Sequence, residues 1–225
     1  MLRALIFDVD GTLAETEEAH RRAFNETFAE AGLSWHWRTD DYRRLLKITG
    51  GKERMRAWRD GIGSGPDDAG IAELHRQKTR RYGRIVAQGG VPLRPGVAGL
   101  LSDARGAGLR LAVATTTNRP NVDVLIRAAT GRAAADIFEV IAAGDDVAAK
   151  KPAPDVYLAA LERLGLRAED ALAFEDSRNG VLSARAAGLE VVVTPSAYTA
   201  GEDFSGAASV LPDLQDWFGR LRLAS

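Results

Sequence analysis

Apolar positions along the chain keep two rhythms. Short apolar runs of strand length recur at 2–7, 109–114, 137–142, 171–174 and 191–193, each ending in polar residues or glycine. The stretches between them carry the longer helical period. Over 15–31, His20, Phe24, Thr27, Phe28 and Ala31 fall on one face, and Gly32 supplies a stop. Further helices are predicted over 39–48, with Thr39 or Asp40 as cap, and over 53–60 and 69–87. Others follow up to 107 and over 120–129, 155–164, 179–187 and 211–221, while 61–68 is a loop by composition. No strand pattern occurs between about 15 and 88. Strands alternating with helices imply right-handed crossovers. The predicted fold is therefore α/β, a doubly wound parallel sheet with an inserted helical cap. The expected division is 1–14 and 92–225 for a Rossmann-like core and 15–91 for the cap.

Composition narrows the classes. The 225 residues suffice for a full core, and 45% apolar with 27% charged residues describe an ordinary globular chain. A net charge of −1 removes the electrostatic case for nucleic acid. The absence of cysteine excludes disulfides, thiol catalysis and a cysteine zinc site. Met1 stands directly before the first strand, no apolar run reaches the length of a bilayer span, and no repeat is present. The expectation is a cytoplasmic monomer with no membrane or nucleic-acid partner.

In a doubly wound sheet, ligands bind beyond the carboxyl ends of the strands. Those ends carry Asp8 and Asp10, then Thr115 to Asn118, then Glu175 and Asp176, with Lys151 near the exit of the third strand. Asp8 and Asp10, two apart at a strand end, are expected on one side of the chain, as a pair suited to a hard cation beside an oxygen nucleophile. Each feature has a plainer reading, as a solvated strand end, a β-branched strand residue or a helix N-terminus. All of them together at one rim point to a site where a cation and an anion meet.

Asp8-Val9-Asp10-Gly11-Thr12, Thr115 after an apolar strand, Lys151-Pro152-Ala153-Pro154 and Glu175-Asp176-Ser177 resemble the four motifs of the haloacid dehalogenase superfamily. Their order matches, and an insertion after the first motif resembles that superfamily's C1 cap. The resemblance implies that Asp8 is the nucleophile and that Asp10 protonates the leaving oxygen. It further implies Mg²⁺ held by Asp8, the Asp10 carbonyl and Asp176, with Glu175 supporting its water ligands. Lys151, Thr115 and the Thr116 amide would receive the phosphoryl group. The second acid of the first motif also separates phosphatases from the halide-cleaving members.

In the cap, Leu13 to Asn25 and Thr49-Gly50-Gly51-Lys52-Glu53-Arg54 look like the CbbY family of the Calvin-cycle operon, as do Ala112 to Thr117 and Ala142 to Asp145. That family removes xylulose-1,5-bisphosphate. The resemblance implies phosphosugar contacts from Glu17, His20, Tyr42, Gly51 and Lys52, the last at a second phosphate; Thr116 and Asn118 join them from the core. Read alone, Glu17 and Arg21 form a surface pair and His20 is half-buried. The basic helix reads as a solvated face, with Lys78 kept as a substrate contact. A β-phosphoglucomutase shares the core, the cap type and the histidine. A phospho-receiver module also gathers acids, a threonine and a lysine on a parallel sheet, but lacks the insertion.

Overall fold

The computed structural model describes residues 1–215 and 217. The strands β1 (Ala4–Phe7), β2 (Arg110–Ala114), β3 (Val140–Ala142), β4 (Ala171–Glu175), β5 (Glu190–Val193) and β6 (Ser209–Val210) form one sheet in the order β3-β2-β1-β4-β5-β6. Every pairing is parallel. The order reverses about β1, so the strand carrying Asp8 lies beside the switch point where such sheets bind ligands.

Both faces of the sheet are covered, which explains why its strands read as unbroken apolar runs. The alternation within each run still divides the faces. Leu5, Phe7, Leu111, Val113, Leu172 and Phe174 enter one cluster; Ala4, Ile6, Ala112, Ala114, Ala171 and Ala173 enter the other. The large side holds a Phe7–Phe174 stack at 4.7 Å. The small side admits α7 (Asp155–Leu164) and α8 (Arg178–Ala186), while α5 (Val97–Gly106) and α6 (Arg119–Thr130) cover the large side.

Between β1 and β2 lie α1 (Glu17–Glu30), α2 (Thr39–Leu46), α3 (Gly51–Ile62) and α4 (Asp68–Ala87). They enclose an aromatic-rich core of their own, including Phe24, Phe28, Trp35, Trp37, Tyr42, Met55 and Ile71. The connections to the sheet run side by side: Ala14 bridges Leu93, and the Arg94 amide donates to the Leu13 carbonyl at 2.8 Å.

The predicted elements recur with shifts at their ends. Ala31 is exposed, since α1 stops at Glu30. The N-cap of α2 is Arg38, whose amide donates to the Asp41 carboxylate at 3.2 Å, rather than Thr39 or Asp40. Third-strand pairing begins only at Val140, because Ala134–Asp136 forms a single helical turn. Residues 211–215 are not helical, and most of the remainder of the predicted 211–221 helix lies outside the described residues. The exposed, two-residue β6 had no apolar signature to announce it.

Candidate active site

Parallel register brings the motif residues together. Phe7 pairs with Phe174, so Asp8 and Glu175 leave the sheet as neighbours, and the Asp8 amide donates to the Phe174 carbonyl at 3.0 Å. Lys151 crosses from the loop after β3 and donates to Asp8 at 2.7 Å, Glu175 at 2.5 Å and the Ala114 carbonyl at 2.9 Å. Tyr157 on α7 donates to the same Glu175 oxygen at 2.6 Å. Thr199 holds Asp176 through its carbonyl at 2.7 Å and its carboxylate at 3.2 Å.

Asp8, Glu175 and Asp176 offer carboxylate oxygens within 4.8 Å of one another, all buried. A single lysine faces three carboxylates there. Burial, with the charge of Glu175, pushes the Asp8 carboxyl up to about 7 against the pull of Lys151. Burial raises Asp176 well above the carboxylate range, and Asp8 and Glu175 add to the effect. Burial alone would lower Lys151, but the Asp8 and Glu175 carboxylates outweigh it and hold the ammonium above the lysine range. Oxygen-only donors carrying excess negative charge suit a hard divalent cation such as Mg²⁺.

Asp10 departs from the paired arrangement expected of it. The strand ends at Phe7, and Gly11, at φ +88°, turns the chain, so the two-residue period does not extend to Asp10. The Asp10 carboxylate is not in the acidic cluster; it accepts from Thr16 at 2.6 Å and meets His20 Nε2 at 3.1 Å. Behind His20, Lys78 Nζ lies 2.6 Å from Nδ1. An ionised Asp10 carboxylate only accepts, so Nε2–H points at it and Nδ1 is the acceptor facing Lys78. Burial opposes ionisation of Asp10, yet the charges and hydrogen bonds of His20, Thr16 and Lys78 hold its carboxyl below the usual range. Burial and then Lys78 hold His20 below the ordinary histidine value.

A cavity of about 490 Å³ opens over these groups. Its core wall includes Asp8, Asp10, Thr115, Thr116, Asn118, Lys151 and Asp176; its cap wall includes Glu17, His20, Gly51, Lys52 and Lys78. Glu175 lies beneath, fully buried. Thr115 Oγ1 accepts the Thr117 amide at 3.2 Å, and Asn118 caps α6.

Tyr42 is the candidate the structure sets back from the cavity. It is fully buried, and its hydroxyl donates to Glu17 at 2.8 Å, so it positions Glu17. The Glu17–Arg21 pair does not form, because Arg21 pairs with Glu18. His20 and Lys78 are buried rather than half-buried and solvated, at 6% and 5% exposure.

Several cavity and seam residues escaped sequence reasoning. Lys150 pairs with Glu53 at 3.1 Å, Asn179 donates to the Lys47 carbonyl at 3.2 Å and Thr49 at 3.1 Å, and Tyr198 donates to Glu18 at 2.6 Å. These contacts join the helical segment between β1 and β2 to the loops and α8 of the sheet layer. Their signal was tertiary. For His75, which also lines the cavity, the spacing of three from Lys78 on one helix was a usable clue.

Residues 2–188 match the family model of the haloacid dehalogenase-like hydrolases. The protein CbbY of Rhodobacter capsulatus is 66% identical over 213 residues, covering 95% of this chain and 94% of that one. Among solved structures, a variant of CbbY from Rhodobacter sphaeroides in complex with xylulose-1,5-bisphosphate superposes with a TM-score of 0.92 at 52% identity, over 95% of both chains. A β-phosphoglucomutase from Clostridium difficile shares the fold alone: TM-score 0.80, 17% identity, over 99% of this chain and 96% of that one.

Proposed function

The chain belongs to the haloacid dehalogenase-like hydrolases, within them to the CbbY proteins, and is a phosphatase; from that premise we propose that it hydrolyses a sugar bisphosphate, xylulose-1,5-bisphosphate, through a phosphoryl group carried on Asp8. The observation that carries this reading is the division of labour between the two aspartates. Asp8 sits against Lys151 in the acidic cluster, whereas Asp10 is held by Thr16 and His20 at the mouth of the cap.

Asp8 Oδ attacks phosphorus, and the leaving sugar oxygen departs in line. The Thr115 hydroxyl, the Thr116 amide and the Lys151 ammonium receive the phosphoryl oxygens. Asp10 delivers a proton to the leaving oxygen and then takes one from the water that cleaves the acyl phosphate. Its carboxyl is held low in the free state; the charge of an arriving phosphate dianion raises it, so that Asp10 takes up from solvent the proton it delivers. Asp8, Asp176 and the Asp10 carbonyl would hold Mg²⁺, with Glu175 supporting the outer ligands; the ion supplies charge that keeps Asp8 ionised and offsets the substrate.

Residues 15–91 act as the unit that selects substrate. Glu17, fixed by Tyr42, accepts from a sugar hydroxyl, and Lys52 faces the second phosphate. Phosphate release is measured over a panel that includes xylulose-1,5-bisphosphate, monophosphates, and glucose-1-phosphate with and without glucose-1,6-bisphosphate. The expected result is Mg²⁺-dependent release of one phosphate from xylulose-1,5-bisphosphate, with little from monophosphates. Faster interconversion of glucose phosphates than hydrolysis would replace this reading with a mutase.

A further inference from the structure

Tyr198 and Thr199 are neighbours in the chain that face opposite ways from one turn. The turn follows β5, where the Thr194 amide donates to the Glu175 carbonyl at 2.9 Å. It closes as the Thr199 and Ala200 amides donate to the Ser196 carbonyl at 3.1 and 3.0 Å. The Ser196 amide donates to Thr199 Oγ1 at 2.9 Å, which leaves that buried hydroxyl to donate toward Asp176. It reaches the Asp176 carbonyl at 2.7 Å and the carboxylate at 3.2 Å. On its other side the carboxylate meets Gly11, so closely that no Cβ would fit there.

Tyr198 turns toward the helices between β1 and β2. Its half-buried ring packs against their aromatic core, edge-on to Tyr42 at 5.8 Å and under the Arg43 guanidinium at 5.5 Å. Its hydroxyl donates to Glu18 at 2.6 Å. Tyr42 in turn holds Glu17. One line of contacts therefore runs from the wall that carries Glu17, through Tyr42, Tyr198 and Thr199, to Asp176. The same alternation recurs at the seam: Lys150 meets Glu53 while Lys151 meets Asp8, and Asn179 meets Thr49 while Gly180 lies on Glu175.

We propose that Tyr198 is a positioning residue for the cation site: its seat in the aromatic core orients Thr199, and Thr199 orients the Asp176 carboxylate. Tyr198 touches neither the acidic cluster nor the cavity wall. The turn is stiff, so a ring that loses its seat carries the Thr199 hydroxyl with it. Mg²⁺ demands near-ideal octahedral geometry, and partners that orient its ligands govern its affinity. This rests on Asp176 as a Mg²⁺ ligand and adds the residue, on the far side of the turn, that ties that ligand to the substrate-selecting helices.

The test is titration calorimetry of Mg²⁺ into the metal-free, full-length protein, with no substrate present. Thr199→Val is expected to raise the Mg²⁺ Kd about tenfold, and Tyr198→Ala about fivefold. Tyr198→Phe stays within about twofold, because it keeps the ring and Glu18, 59% exposed, retains Arg21 and water as partners. The double variant Tyr198→Ala/Thr199→Val binds within about twofold of Thr199→Val, since both changes act along one route. If Tyr198→Ala does not fold, Tyr198→Leu is read in its place. A parent-like Kd in Tyr198→Ala, or effects that multiply in the double variant, would overturn the proposal. Asp176→Asn separates the two readings: if it binds Mg²⁺ as the parent does, the cation site itself is wrong and the role of Tyr198 falls with it.

Discussion

Lys78 Nζ and His20 Nδ1 lie 2.6 Å apart, inside a sandwich in which His20 stacks on Tyr82 at 3.8 Å and Lys78 stands 4.4 Å over the Phe24 ring. The lysine is spaced from solvent by aromatic faces and from Asp10 by one imidazole. The arrangement fixes the histidine tautomer, and through it the position of the Asp10 carboxylate, which the proposed reaction uses to move protons.

Lys78→Met should therefore lower kcat by about 100-fold while leaving KM within about threefold, read from initial rates. It also has a signature in stability. Burial, reinforced by Arg54 and opposed by Asp10 and Glu17, lowers Lys78 to about 7, against an unfolded value near 10.4. Between those values the unfolded chain binds more protons, so this residue makes stability rise with pH across that window. Chemical denaturation at pH 6.5 and pH 9 should show the rise in the parent and a smaller one in Lys78→Met. Equal rises would mean that Lys78 is not buried as a base.

Asp8→Asn should abolish turnover and leave the fold intact. The folded carboxyl, raised to about 7, holds its proton more tightly than the unfolded one, so Asp8 costs stability as pH climbs from about 4 to 7, and the full penalty stands above 7. Metal-free Asp8→Asn should accordingly melt at least about 2 °C higher than the parent at pH 8, with the gap closing toward pH 4. A variant that melts lower at pH 8 would contradict the charge accounting of the cluster.

Chelation should remove activity, and Mg²⁺ should restore it. The same ion should raise the melting temperature by about 5–10 °C at a hundredfold excess over its dissociation constant, because binding to the folded state alone adds about 2.7 kcal/mol. Scanning calorimetry with and without Mg²⁺ measures this. Asp176→Asn should abolish most of the shift.

Gly180, on α8, is set against the base of the site. A Cβ there would lie 1.9 Å from the Glu175 carboxyl, which is fully buried and bonded to Lys151 and Tyr157. Gly180→Ala should cost about 1–3 kcal/mol in unfolding free energy and lower kcat, since Glu175 cannot withdraw without displacing Lys151. Parent-like stability and rate together would show that α8 shifts freely.

The sequence by itself determined the sheet, the insertion and the order in which chemistry arrives at the sheet's edge. Apolar runs, turn residues and strand-end polarity are local properties, and parallel register carries them to one rim, so Asp8, Thr115, Lys151, Glu175 and Asp176 were legible. Tertiary structure decided what each side chain faces. Asp10 left the acidic cluster because the strand ends at Phe7 and Gly11 turns the chain. Tyr42 withdrew behind Glu17, and Lys78 left solvent for an aromatic slot, because helix packing and not helical period sets which face is covered. Lys150 meets Glu53, and His75 meets Gly51, across separations along the chain that no spacing rule spans. Such contacts exist only once the cap has folded back over the strand from which it departs.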